Sequence, residues 1–332
     1  MADDLQQDTH SNLAASRRRV LAAAALAPLL TGAPAAAHAL SAGPRNRALV
    51  KPVMTKLADW ADVGNALGGP GDIRRFMYHT GLLRRDLMVF SRGIRIRPAL
   101  ALGTHMSFVR YADGSTLLMG DAVVTEHELQ RFIDALQEHG IQQTAIHKHL
   151  LAHKPEVWWI HLHAHGHDPV AVARGLRAAL DCTATPPAEP SAPSLPVDLD
   201  TAAMDAAMGV KGSAEDEIYK YTFVRRETVN DGHVILPPGL GSTTALIFQP
   251  LGNGRAAISG DLVMIAEEVQ PVLVALRRGG VELVEVHHHN LTDEPRLFFV
   301  HIWAVGDAVQ LAKRLRHAVD ATNVVPMPGG SG

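Results

Sequence analysis

Residues 145–163 read AIHKHLLAHKPEVWWIHLH, and residues 285–303 read EVHHHNLTDEPRLFFVHIW. In both, a His-x-His pair is followed twelve residues later by a third His. His147, His149 and His161 match His287, His289 and His301, each pair 140 residues apart. Imidazole is the commonest protein metal ligand. Three histidines repeated in register mark a duplicated unit and a candidate site together.

The duplication extends outward from the histidines. Gly120-Asp121 matches Gly260-Asp261, Glu128 matches Glu268, Gly140 matches Gly280 and Pro155 matches Pro295, all at the same separation. Trp158-Trp159 is answered by Phe298-Phe299. Two copies are too few for a solenoid, so the expectation is two similar domains, 40–182 and 197–332. The Pro-, Ala- and Ser-rich stretch 183–196 reads as a linker.

Local signals give the order within a copy. Met106–Tyr111 and Thr116–Val124 flank Asp113-Gly114, a hairpin turn. Thr125 followed by Glu128 forms a capping box. Leu129, Phe132, Ile133 and Leu136 then space one apolar helix face, and Gly140 ends it. Ile141–Leu150 and Val157–His165 read as strands joined at Lys154-Pro155, and Asp168 opens a closing helix. The unit is ββαββα, so the class is α+β, with antiparallel sheets and helices on one face.

Strand alternation places His161, His163 and His165 on one face, with Ile160, Leu162 and Ala164 on the other. A hairpin about Lys154-Pro155 sets His147 opposite His161 or His163, close enough for imidazoles to share one ion. The candidate metal ligands are His147, His149, His161, His163, His287, His289 and His301, with zinc or copper favoured by all-imidazole ligation. The competing reading makes them hydrogen-bonded strand residues. His288 points to the opposite face. Glu128 and Glu268 resemble catalytic acids, but capping accounts for Glu128. Asp121 and Asp261 read as turn or helix-entry residues, with a ligand or general-base role as the alternative.

Bulk properties bound the rest. The chain has 332 residues, 47% hydrophobic and 20% charged, enough for a real core. A net charge of −3 gives no electrostatic case for nucleic acid. The single cysteine, Cys182, excludes Cys-rich metal sites and an internal disulfide. The N-terminus carries Arg17-Arg18-Arg19, the apolar run Val20 to Leu30 and Ala37-His38-Ala39. These are the parts of a twin-arginine signal peptide over 1–39, implying export to the periplasm or beyond and no membrane anchor after cleavage.

The second copy resembles the LppY/LpqO family of exported bacterial proteins. The likeness rests on His287-His288-His289, Glu294-Pro295-Arg296-Leu297-Phe298-Phe299, His301-Ile302-Trp303 and Gly306-Asp307-Ala308, with Gly260-Asp261 upstream. The first copy departs from it at Lys148, Glu156 and His163. The resemblance implies duplication and export, and supplies no reaction. Two functions then compete: a metal-dependent hydrolase, whose ion acidifies water, and a non-catalytic metal carrier or small-ligand-binding protein.

Overall fold

The duplicated pattern folds as two six-strand antiparallel arrays of identical order. The structure, a computed structural model, describes residues 48–188 and 196–327. The signal segment and most of the linker lie outside the described residues. The first repeat begins with α1 (Ala61–Leu67), β1 (Asp72–Arg74), β2 (Met77–Leu83), β3 (Phe90–Ser91), β4 (Ile94–Arg95) and α2 (Pro98–Ala101). It continues with β5 (Gly103–Arg110), β6 (Thr116–Thr125), α3 (Glu126–Glu138), β7 (Gln142–His147), β8 (His153–Lys154), β9 (Val157–Gly166) and α4 (Pro169–Leu180). The second repeat begins with α5 (Thr201–Met208), β10 (Ser213–Glu215), β11 (Ile218–Arg225), β12 (Val229–Asp231), β13 (Val234–Leu236) and β14 (Thr243–Gly252). It closes with β15 (Arg255–Met264), α6 (Ala266–Arg278), β16 (Glu282–His287), β17 (Asp293–Glu294), β18 (Phe298–Asp307), α7 (Ala308–Asp320) and β19 (Val324–Pro326).

The first sheet runs β1-β2-β5-β6-β9-β7 and the second β10-β11-β14-β15-β18-β16, with β19 added beside β11. Helices cover one face of each. Ile160, Leu162 and Ala164 are buried with Phe132, Leu136 and Leu176 of α3 and α4. Val300, Ile302 and Ala304 are buried with Leu276, Leu311 and Leu315 of α6 and α7. The alternation expected of the histidine-bearing strands is therefore observed, and the fold class is α+β. The capping box of α3 forms as expected: Thr125 N–H donates to Glu128 at 2.7 Å. Glu128 also takes Arg84 at 2.8 Å, and Arg225–Glu268 repeats the pair in the second copy. Among the described residues no helix is long and apolar enough to cross a membrane.

The histidine-free faces of the sheets are thus spoken for, and the opposite faces meet each other. Apolar clusters there mix the copies: Met77, Val109 and Met119 pack with Val234, Val263 and Phe299. Polar contacts lock the same seam. Thr144 donates to the His289 carbonyl, and Lys148 N–H donates to Glu285 at 2.7 Å.

Two expectations need correction. The register is shifted from the one a hairpin at Lys154-Pro155 implies, and the connection is longer: His147 lies opposite Trp159 and Ala145 opposite His161, with a bulge between Gln143 and Ala145. The second copy repeats this, with His287 opposite Phe299 and Glu285 opposite His301. The reason is that the chain leaves the sheet after His147. Residues 148–152 loop out and β8 pairs with β3 in a separate small sheet, so His149 stands beyond the strand end. Asp121 and Asp261 are also not turn residues. Both sit inside long strands, paired with His161 and His301. Gly120 precedes Asp121 because a Cβ there would meet Met106 Sδ at 2.3 Å and the His105 carbonyl at 2.5 Å.

Candidate metal centre

The face shared by His161, Asp121 and His105 across β9, β6 and β5 looks onto the matching face of the second sheet. Each copy aims its three histidines at the other copy's. His147 stacks on His287 with ring centroids 4.2 Å apart. His149 meets His301 at 3.8 Å, and His161 meets His289 at 3.8 Å. The two exchanged pairs are equal, so the six rings form one cluster with approximate two-fold symmetry about His147 and His287. Aromatics fix the outer rings. His149 stacks on Trp159 at 4.5 Å and His289 on Phe299 at 3.3 Å. The repeated Trp/Phe pair is therefore half core and half support for a ligand. Each aspartate takes the same place: Asp121 lies 3.2 Å from His149 Nε2, and Asp261 3.2 Å from His289 Nε2.

The polar accounting of this cluster does not close within the protein. Buried and without a hydrogen-bond partner are His147 Nδ1, both ring nitrogens of His287, and Nε2 of His161, His289 and His301. Oδ1 of Asp121 and of Asp261 share that condition. His289 Nε2 is near Asp261, but out of line for a hydrogen bond. Buried polar groups almost always find partners, so this concentration of orphans calls for a ligand.

Electrostatics give the same answer. Burial, reinforced by neighbouring imidazoles, holds His147, His289 and His301 well below the usual histidine range. Burial and His289 do the same to His161, against the pull of Asp121. His287 is lowered to about 3, mainly by burial. Burial pushes the Asp261 carboxyl up to about 7, although His287 and His149 oppose it. Neutral imidazole is the ligating form. The ring set fits a transition metal by charge and donor type.

Among the described residues, three groups bring ligand atoms within 4.8 Å of one another: His147-His287-His301, His161-His287-His289, and Asp121-His147-His161. Two of the three cross between copies, and none is one copy's His-x-His pair plus third histidine. Any two of them share a residue, so they describe one centre rather than two. His163 is not gathered here. Its Nε2 contacts Asp231 at 2.6 Å, a contact of the repeat seam. His165 reaches Ser115 at 2.9 Å, and His288 is half-buried outside all three groups.

A cavity of about 480 Å³ opens onto the cluster. One wall holds His105, Asp121 and His161, the other Lys220, Asp261 and His289. Its size falls in the range of about 300–1,000 Å³ typical of small-molecule sites. Sequence reasoning missed His105, because Ala245 stands at the matching place and nothing repeats there. It set Asp121 and Asp261 aside, though their shared 140-residue spacing with the histidines was the available signal.

A family model described as Domain of Unknown Function (DUF1259) matches residues 61–182 and again 202–321. No match was found among curated proteins. Among solved structures, the fused permuted hexameric shell protein MSM0275 from the RMM microcompartment is similar at 12% identity, over 74% of this chain and 95% of that one, with a TM-score of 0.18. A trimeric bacterial microcompartment shell protein, PduB, is similar at 11% identity, over 75% and 92%, also at 0.18. Such scores do not establish a shared fold.

Proposed function

The chain belongs to the DUF1259 family and carries its domain twice, and from that premise we propose that it is a metal-binding protein with one centre built jointly by both copies. The observation that carries this reading is the convergence of six histidines, five of which hold buried ring nitrogens without partners. The residues that would hold the ion are His147, His287 and His301, or His161, His287 and His289, with Asp121 and Asp261 beside them. Imidazole-rich ligation favours zinc or copper.

The cavity favours an enzyme over a carrier, and a hydrolase within that class. A bound divalent ion would supply Lewis acidity at the cavity floor. Asp261, raised to about 7, is suited to hold or release a proton near neutral pH. A carrier needs exchangeable ligands at the surface, whereas His147 and His301 are buried. The twin arginines at Arg17 and Arg18, and the likeness to the LppY/LpqO family, support export to the periplasm.

The test is elemental analysis of untagged protein from its native compartment, followed by zinc and copper titration of the chelator-stripped form. One tight ion per chain is expected, lost on changing both His147 and His287 to Ala. Absence of tight binding for either metal would overturn the proposal.

A further inference from the structure

The far end of the cavity is not symmetric, and the asymmetry leaves a positive charge inside it. His79 and Lys220 occupy matching places, each one residue after a tyrosine (Tyr78, Tyr219) on β2 and β11. Each faces the short strand before it: His79 pairs with Asp72 and Lys220 with Ser213. In the first copy Asp72 stands 3.1 Å from the His79 ring. In the second copy serine replaces that acid. The Lys220 side chain therefore makes no hydrogen bond to, and no ion pair with, the described residues, although it lines the cavity. Burial pulls its ammonium below the usual lysine range, against Glu215. Glu215 and Asp216 also line the cavity but neither makes an ion pair with Lys220. An ammonium with no direct partner in a part-enclosed cavity is costly, a cost that a ligand anion in contact with it would reduce. Around it stand His79, stacked on His105 at 5.5 Å, and Ser107 and Thr222. The histidine cluster lies on the same cavity's floor.

We propose that the cavity binds a small anionic molecule, a carboxylate or a phosphate, gripped by Lys220 at one end and extending toward the histidine centre at the other. The grip at Lys220 stands independently of the metal. The reach toward the centre rests on the metal reading above.

The experiment is calorimetric titration of the full chain, metal-loaded and metal-stripped, with succinate and with inorganic phosphate, using neutral succinamide as control. The parent should bind at least one anion and not succinamide, and the two arms decide which headgroup is preferred. Lys220→Met should weaken that binding by roughly 10- to 100-fold in both metal states, the usual worth of a charge-assisted hydrogen bond. Lys220→Arg should retain most of it. If Lys220→Met does not fold, Lys220→Gln removes the same charge with a polar head. An anion-induced rise in melting temperature, seen in the parent and absent in the variant, reads the same loss. Equal affinity in the parent and the charge-removed variant, or no anion binding by the parent, overturns the proposal. Metal content of the same samples separates the two readings. Lys220-dependent binding in a chain that never takes up metal removes the metal centre and keeps this site. Tight metal without anion binding does the reverse.

Discussion

Replacing His287 by Leu gives opposite signs for a ligand and for a structural residue. Both ring nitrogens of His287 are buried without partners, and each such unmade hydrogen bond costs about 1–3 kcal/mol. Leucine has similar volume and no polar atoms. Misfit costs under about 1.5 kcal/mol, and lost stacking on His147 and His301 costs about another 0.5–1.5 kcal/mol per pair. In the metal-free protein the mid-range values net a gain of about 1 kcal/mol, or roughly 2–4 °C in melting temperature. Zinc at 100 times its dissociation constant should stabilise the parent by about 2.7 kcal/mol. His287→Leu removes two of the three ligand groups and leaves only Asp121-His147-His161, so most of the zinc-induced rise should vanish. The assay is thermal unfolding of the stripped parent and variant, with and without zinc. A variant that melts lower without metal and keeps the full zinc shift would refute the reasoning, because His287 would then be held by partners within the protein.

Three further outcomes are expected. His163→Ala and His288→Ala should leave zinc occupancy unchanged by elemental analysis, since one ring is engaged by Asp231 and the other lies outside every ligand group. Burial pushes the Glu128 carboxyl up, but Arg84 and the backbone at Thr125 and Ala184 outweigh it and hold it at about 2. Its folded value is thus below its unfolded 4.5, so its stabilisation is present above about pH 4.5 and fades as pH falls toward 2. Glu128→Gln should cost about 3 kcal/mol near pH 7 and flatten denaturant-measured stability over that acid window. Changing Arg17 and Arg18 together to Lys should trap precursor in the cytoplasm, read by fractionation and immunoblotting, whereas normal export would refute the twin-arginine assignment.

The fold was legible where a local rule decided it. The Asp113-Gly114 turn, the Thr125/Glu128 box and the alternation of Ile160, His161 and Leu162 each depend on a few adjacent residues. The site was legible only in part, because its assembly depends on where distant segments meet. Nothing near His147 announces that its stacking partner is His287, 140 residues away. The register failed for a related reason. A short Lys154-Pro155 loop implies a hairpin, but β8 pairs with β3, and that long-range pairing draws the chain out of the sheet before it can turn. β2, which brings His79 to the cavity, carries no repeated histidine and no turn signal. It could be found only by aligning Tyr78 with Tyr219.

Placing the ligands on the seam between copies explains where the copies agree and where they differ. A centre on an approximate two-fold axis needs both halves alike, so His147 faces its own counterpart His287, while His149 and His161 each face the other's counterpart, His301 and His289. No such demand acts further along these strands or on the strands beside them. There His105 is answered by Ala245, His79 by Lys220 and His163 by Trp303. These differences crowd around the cavity and the repeat seam rather than the ligand cluster. Symmetry at the centre and asymmetry around it suit a protein that holds one ion with both copies and one ligand in a single orientation. A pair of independent metal sites would instead let each copy keep its own ligands together, and none of the three groups within 4.8 Å joins one copy's His-x-His pair to its third histidine.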